Sequence, residues 1–110
     1  MNLEELTAEV EAVSRIYATR HGIDRDPAWF VLKLQEEVGE LTQAYLMRSG
    51  QARDKGHTAD ELDSGFRAEL ADVLCQVLLL ARHHDVDLGA EVEQKWLRWN
   101  PDRAAQPAAR

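Results

Sequence analysis

Residues 33–44 read KLQEEVGELTQA, and residues 69–88 read ELADVLCQVLLLARHHDVDL. Neither stretch contains proline, and both repeat apolar residues three or four apart, the period of an α-helix. Around the first, Phe30, Leu34, Val38, Leu41 and Tyr45 form one stripe; Phe30 and Tyr45 are expected in the core. Around the second, Leu62, Phe66, Leu70, Val73, Val77 and Leu80 do the same, widened by Leu74, Leu78 and Ala81. Cys75 lies beside this stripe and is expected to be a small buried hydrophobe.

Turn residues bound the segments. Gly22 and Pro27 bracket a short loop, Gly50 to Gly56 is polar, Asp85 to Gly89 is a break, and Pro101 opens an Ala-, Pro- and Arg-rich tail. The pattern predicts helices over 3–21, 27–49, 59–84 and 88–99. Asp26 before Pro27 is an N-cap ahead of a first-turn proline. Thr58 precedes Asp60 and Glu61, acids suited to a first turn, and Arg82, His83 and His84 suit a helix C-terminus. The expectation is an all-α, four-helix domain over residues 1–103, followed by a flexible tail at 104–110. Stripes this broad need more cover than one neighbour provides, so dimerisation or tetramerisation is expected to complete the bundle.

Composition narrows the function classes. The chain has 110 residues, one domain's worth, and its 45% hydrophobic content is enough to build a core. Twenty acidic residues against thirteen basic ones leave a formal charge of -7, which argues against a nucleic-acid-binding face. One cysteine excludes an intramolecular disulfide and a Cys-rich zinc site. His83 and His84 are adjacent rather than a turn apart, and His21 and His57 fall in or beside loops, so no zinc pattern emerges. No apolar run reaches membrane-spanning length, and the acidic start, MNLEELTAEV, lacks the regions of a secretory signal. A cytoplasmic setting is the expectation.

Two groups of acids are not scattered. Glu37 and Glu40 fall roughly 60–130° to one side of the first stripe, at 100° per residue. Glu69 and Asp72 fall at the same offset, on the same-handed side, of the second stripe. On an antiparallel helix pair, same-handed flanks either face each other or both face away. If they face each other, four carboxylates converge, which is costly unless a cation sits among them. All-oxygen ligands suit Mg2+ or Mn2+. The plain alternative is a solvated acidic face on a non-catalytic helical interaction module, since glutamate favours helices in any case.

The pattern Glu36-Glu37-Val38-Gly39-Glu40 followed by Glu69-Leu70-Ala71-Asp72 resembles the all-α nucleoside triphosphate pyrophosphohydrolases, the MazG-like superfamily. The later KWLRWNPDR resembles that family's closing positions, through Lys95, Asn100 and Arg103. The resemblance spans residues 28–103. It implies a homodimer or homotetramer and Mg2+ held by Glu37, Glu40, Glu69 and Asp72. It gives Glu36 a second ion or the attacking water, so that Glu36 and Glu37 are the catalytic candidates. It implies cleavage of a nucleotide between its α and β phosphates. Housecleaning of the nucleotide pool and phosphoribosyl-ATP hydrolysis both fit.

Around the acids, Lys33 is placed either to touch a phosphate or to pair with Glu36 or Glu37. Trp29 lies on the acidic side of its helix and suits base stacking, which favours housecleaning. Lys95 and Arg103 are candidates to clamp the triphosphate, with Asn100 adding a hydrogen bond. Arg98 is expected on the surface, and Trp96 in packing against the bundle or a subunit interface. No glycine-rich phosphate loop, nucleophile motif or dinucleotide fingerprint is present.

Overall fold

A computed structural model describes residues 1–104, and these are helical with no strands. The elements are α1 (Leu3–His21), α2 (Pro27–Arg48), α3 (Ala59–His83), α4 (Leu88–Lys95), a 3-10 turn (Leu97–Trp99) and α5 (Pro101–Ala104). No helix among the described residues is long and apolar enough to cross a membrane.

The helix starts are chemically determined. Asn2 accepts from the Glu5 amide, Asp26 from that of Trp29, and Asp87 from that of Ala90. Thr58 and Glu61 form a reciprocal capping box. Helix α1 stops at Gly22, whose φ of 62° is open to glycine at little cost. Nothing lies within 4 Å of where a Cβ would sit, so Gly22→Ala should cost backbone strain alone, about 1 kcal/mol. Denaturant titration reads this directly.

Helices α2 and α3 form the central antiparallel pair, and α1 packs against α3. Phe30 is buried between them, with the His83 ring stacked on it at 4.4 Å. Leu78, Leu79, Ala81 and Ala18 complete the buried apolar set. Helix α1 docks through its small and polar side. Glu11 and Ala18 are buried there, while Val13, Ile16 and Tyr17 are exposed.

Glu11 is the hub of this contact. Its carboxylate accepts from Arg25 at 2.7 and 2.9 Å and pairs with Arg15 on its own helix. Arg82 of α3 approaches to 3.5 Å. The Arg25 bonds, more than Arg15 and the Arg82 charge, hold the Glu11 carboxyl down at about 2 despite its burial.

Several expectations need correcting. The fourth helix does not run from 88 to 99. It ends at Lys95 and tightens into a 3-10 turn, because Pro101 disfavours helical geometry at Asn100, whose ψ is 116°. Pro101–Ala104 forms a helical turn, and residues 105–110, the rest of the expected tail, lie outside the described residues. Tyr45 is not a core residue: its ring meets that of Phe66 of α3 at 6.1 Å but is 49% exposed in the single chain. Trp96 does not pack on the bundle; it is 70% exposed in the single chain, where the segment after α3 packs chiefly on itself. Cys75 is half-buried rather than buried.

Candidate metal and ligand site

The α2–α3 pairing brings the two acidic flanks face to face. One carboxylate oxygen from each of Glu37, Glu40 and Glu69 lies within 4.8 Å of the others. Glu37 is buried, Glu69 half-buried and Glu40 exposed. Asp72 stands outside that trio but close enough for its charge to act on Glu37 and Glu69.

The electrostatics carry the cost of that convergence. Burial, then Glu40 and Asp72, push the Glu37 carboxyl up to about 7, although Lys33 pulls the other way. Burial raises Glu69 as well, followed by the charges of Asp72 and Glu40. Glu37 Oε2 and Glu69 Oε2 are both buried without a hydrogen-bond partner. Buried carboxylate oxygens normally have partners, and a hard divalent cation is the partner that suits two such atoms from facing helices. The donor set therefore fits Mg2+ or Mn2+.

Glu36 lies to one side, 56% exposed and 3.4 Å from Lys33. Lys33 also reaches Glu37 at 3.6 Å. Burial lowers the affinity of Lys33 for its proton, but Glu36 and Glu37 together outweigh that and hold it above the ordinary lysine value. The ion-paired reading of Lys33 is the one this geometry contains.

A cavity of about 500 Å3 opens from the acids and runs between the three long helices. Helix α2 contributes Trp29, Lys33 and Glu37 to its wall, and α3 contributes Asp72, Gln76 and Leu79. Helix α1 closes the remaining side with Val13 and Tyr17, together with Glu9, Val10 and Ser14. Cys75 also faces it, with a thiol raised by burial and by Asp72 and so kept protonated. The size suits a small organic ligand, and an apolar wall with few polar groups is the usual form of such a site.

No family model matches the chain, and no curated protein or solved structure is detectably similar to it.

Of the residues singled out from sequence, Trp29, Lys33, Glu37 and Asp72 share the cavity, and Glu40 and Glu69 join Glu37 at its acidic end. Lys95, Asn100 and Arg103 do not line it. Arg103 bonds to Glu93 at 2.7 Å, and Asn100 accepts from the Asp102 amide at 3.0 Å. Trp99 is 72% exposed beneath the Arg98 guanidinium. The contribution of α1 was not anticipated. Val10, Val13 and Tyr17 recur at helical spacing, but spacing alone does not say which neighbour that side meets.

Proposed function

We propose that this chain is a Mg2+-dependent nucleotide pyrophosphohydrolase of the MazG-like kind, acting in nucleotide-pool housecleaning. The observation that carries the reading is the acidic cluster. Three carboxylates from facing helices come within 4.8 Å, two of them with buried, unpartnered oxygens, at the mouth of a cavity holding a tryptophan. The order of the acids along the chain, EExxE then ExxD, supports it independently.

Glu37, Glu40 and Glu69 would hold the ion, with Asp72 beside them. When bound, Mg2+ neutralises triphosphate charge and makes a coordinated water more acidic. Glu36, on the solvent side of the cluster, orients the attacking water and accepts its proton. Water oxygen bonds to the α phosphorus, the bond to the bridging oxygen breaks, and pyrophosphate leaves with that oxygen. Trp29 stacks on the base in the cavity. Lys33 screens the acids and offers a donor to a phosphate oxygen.

A second copy completes the protein in this reading. Val31, Val38 and Tyr45 recur every seven residues along α2, on the flank away from Glu36 and Glu40. With Leu70 and Leu74 of α3 they are between 37% and 51% exposed. Sedimentation velocity should give a dimer or tetramer, and Tyr45→Asp should shift it towards monomer. An unchanged monomer in the parent protein removes this part of the reading.

The direct test is pyrophosphate release in Mg2+ from standard, oxidised and methylated nucleoside triphosphates and from phosphoribosyl-ATP, with Asp72→Asn alongside. Release that the variant abolishes supports the assignment. Orthophosphate instead of pyrophosphate means another scissile bond. Millimolar Mg2+ or Mn2+ should also raise the melting temperature, as any ligand of the native state does. Silence on both counts points to a helical interaction module.

A further inference from the structure

We propose that Arg25 is a positioning residue for the cavity. Without touching the ligand, its guanidinium fixes the α1 wall relative to Trp29 and so governs how tightly a nucleotide is held. This rests on the nucleotide reading above and adds a residue to that site.

Arg25 belongs to the loop between α1 and α2 and does not line the cavity. Its side chain is only 17% exposed. On one side Nη1 donates to Ser14 Oγ at 3.0 Å, and Ser14 lines the cavity. Nη1 also donates to Glu11 Oε1 at 2.9 Å, and Nη2 donates to Glu11 Oε2 at 2.7 Å, a bidentate hold on the middle of α1. The cavity residues Val10 and Val13 flank Glu11 on that helix. On the other side the guanidinium lies 5.4 Å from the centre of the Phe30 ring. Phe30 is buried, and the Trp29 ring meets it edge to face at 5.0 Å. Trp29 in turn lines the cavity. One planar group therefore ties Ser14 of the α1 wall to the ring that supports Trp29.

The acids stand outside this linkage. Glu37, Glu40 and Glu69 are carried by α2 and α3, which pair far more extensively than α1 does with α3. Loosening Arg25 should therefore disturb the fit of the ligand ring and leave the acids in place. Loss of contacts that substrate and transition state share raises KM and spares kcat. Lysine is a poor replacement. Its ammonium keeps the attraction to Glu11 but lacks the rigid fork that meets a carboxylate and a hydroxyl together.

The test is steady-state pyrophosphate release in Mg2+ from the nucleoside triphosphate that the parent protein hydrolyses fastest. Arg25→Lys should raise KM about tenfold with kcat within about twofold of the parent, and it should keep the Mg2+-dependent rise in melting temperature. Ser14→Ala leaves the Glu11 pair intact and should raise KM about threefold. It carries the test if the lysine variant does not fold. Thr58→Ala removes the cap of α3, a residue that does not line the cavity, and should lower the melting temperature at parental KM. A parental KM in both Arg25→Lys and Ser14→Ala overturns the role of Arg25 and leaves the hydrolase reading standing. So does a loss confined to kcat, or an equal rise of KM in Thr58→Ala, which would trace the effect to stability alone. No hydrolysis by the parent protein, with no response to Mg2+, overturns the hydrolase reading and this proposal with it.

Discussion

Glu37→Gln should remain folded and lose pyrophosphate release by a factor on the order of a hundred to a thousand. Glu37 is the buried member of the acidic trio and also lines the cavity, so it joins the acidic cluster to the cavity. The same substitution should stabilise the protein in chelator at pH 8. Burial and then Glu40 hold the Glu37 carboxyl up near 7, above its value in the unfolded chain. The native state therefore binds that proton more tightly than the unfolded state does. Its contribution is intact below about pH 4.5 and is lost as pH rises through 7. A neutral amide removes this loss. Two readouts should thus move in opposite directions, rate down and metal-free stability up. A variant with parental rate would place the chemistry elsewhere.

Glu11→Gln should be the most damaging single change to stability, costing about 3 kcal/mol and roughly 10 °C or more in melting temperature. The buried carboxylate ties α1 to Arg25 of the following loop and to Arg82 of α3. Removing its charge leaves three guanidinium groups around a site with no anion. The pH dependence has the opposite sign to that of Glu37. Arg25 holds Glu11 down at about 2, so its contribution is present above about pH 4.5 and is lost as pH falls towards 2. Thermal melts from pH 6 to 2 should show a steep loss in the parent protein and a flatter one in the variant. Equal slopes would mean that the Arg25 contact is not what secures α1.

The three long helices were legible because local chemistry sets them. Asp26 caps where an N-cap residue was expected, Thr58 caps the helix whose start was placed at 59, and α1 gives way to Gly22. The convergence of the acids was half legible. Helical phase puts Glu37, Glu40, Glu69 and Asp72 on same-handed flanks, but either arrangement of those flanks is compatible with phase. Only the packing of α2 on α3 turns them towards each other. The break after Lys95 was missed because the 88–99 pattern reads as one helix until Asn100 meets Pro101 and the turn before it tightens.

The sequence by itself determined the helical class, the positions of the first three helices, and which acids share a flank. These depend on residues within about a turn of one another, through caps, prolines and a 3.6-residue period. Tertiary structure alone decided that α1 buries Glu11 and Ala18 instead of Val13 and Ile16, because a buried carboxylate is admissible only where Arg25 meets it. That choice leaves the apolar side of α1 to line the cavity with Val13 and Tyr17. No short-range pattern encodes either outcome, since both depend on contacts between residues far apart in the chain.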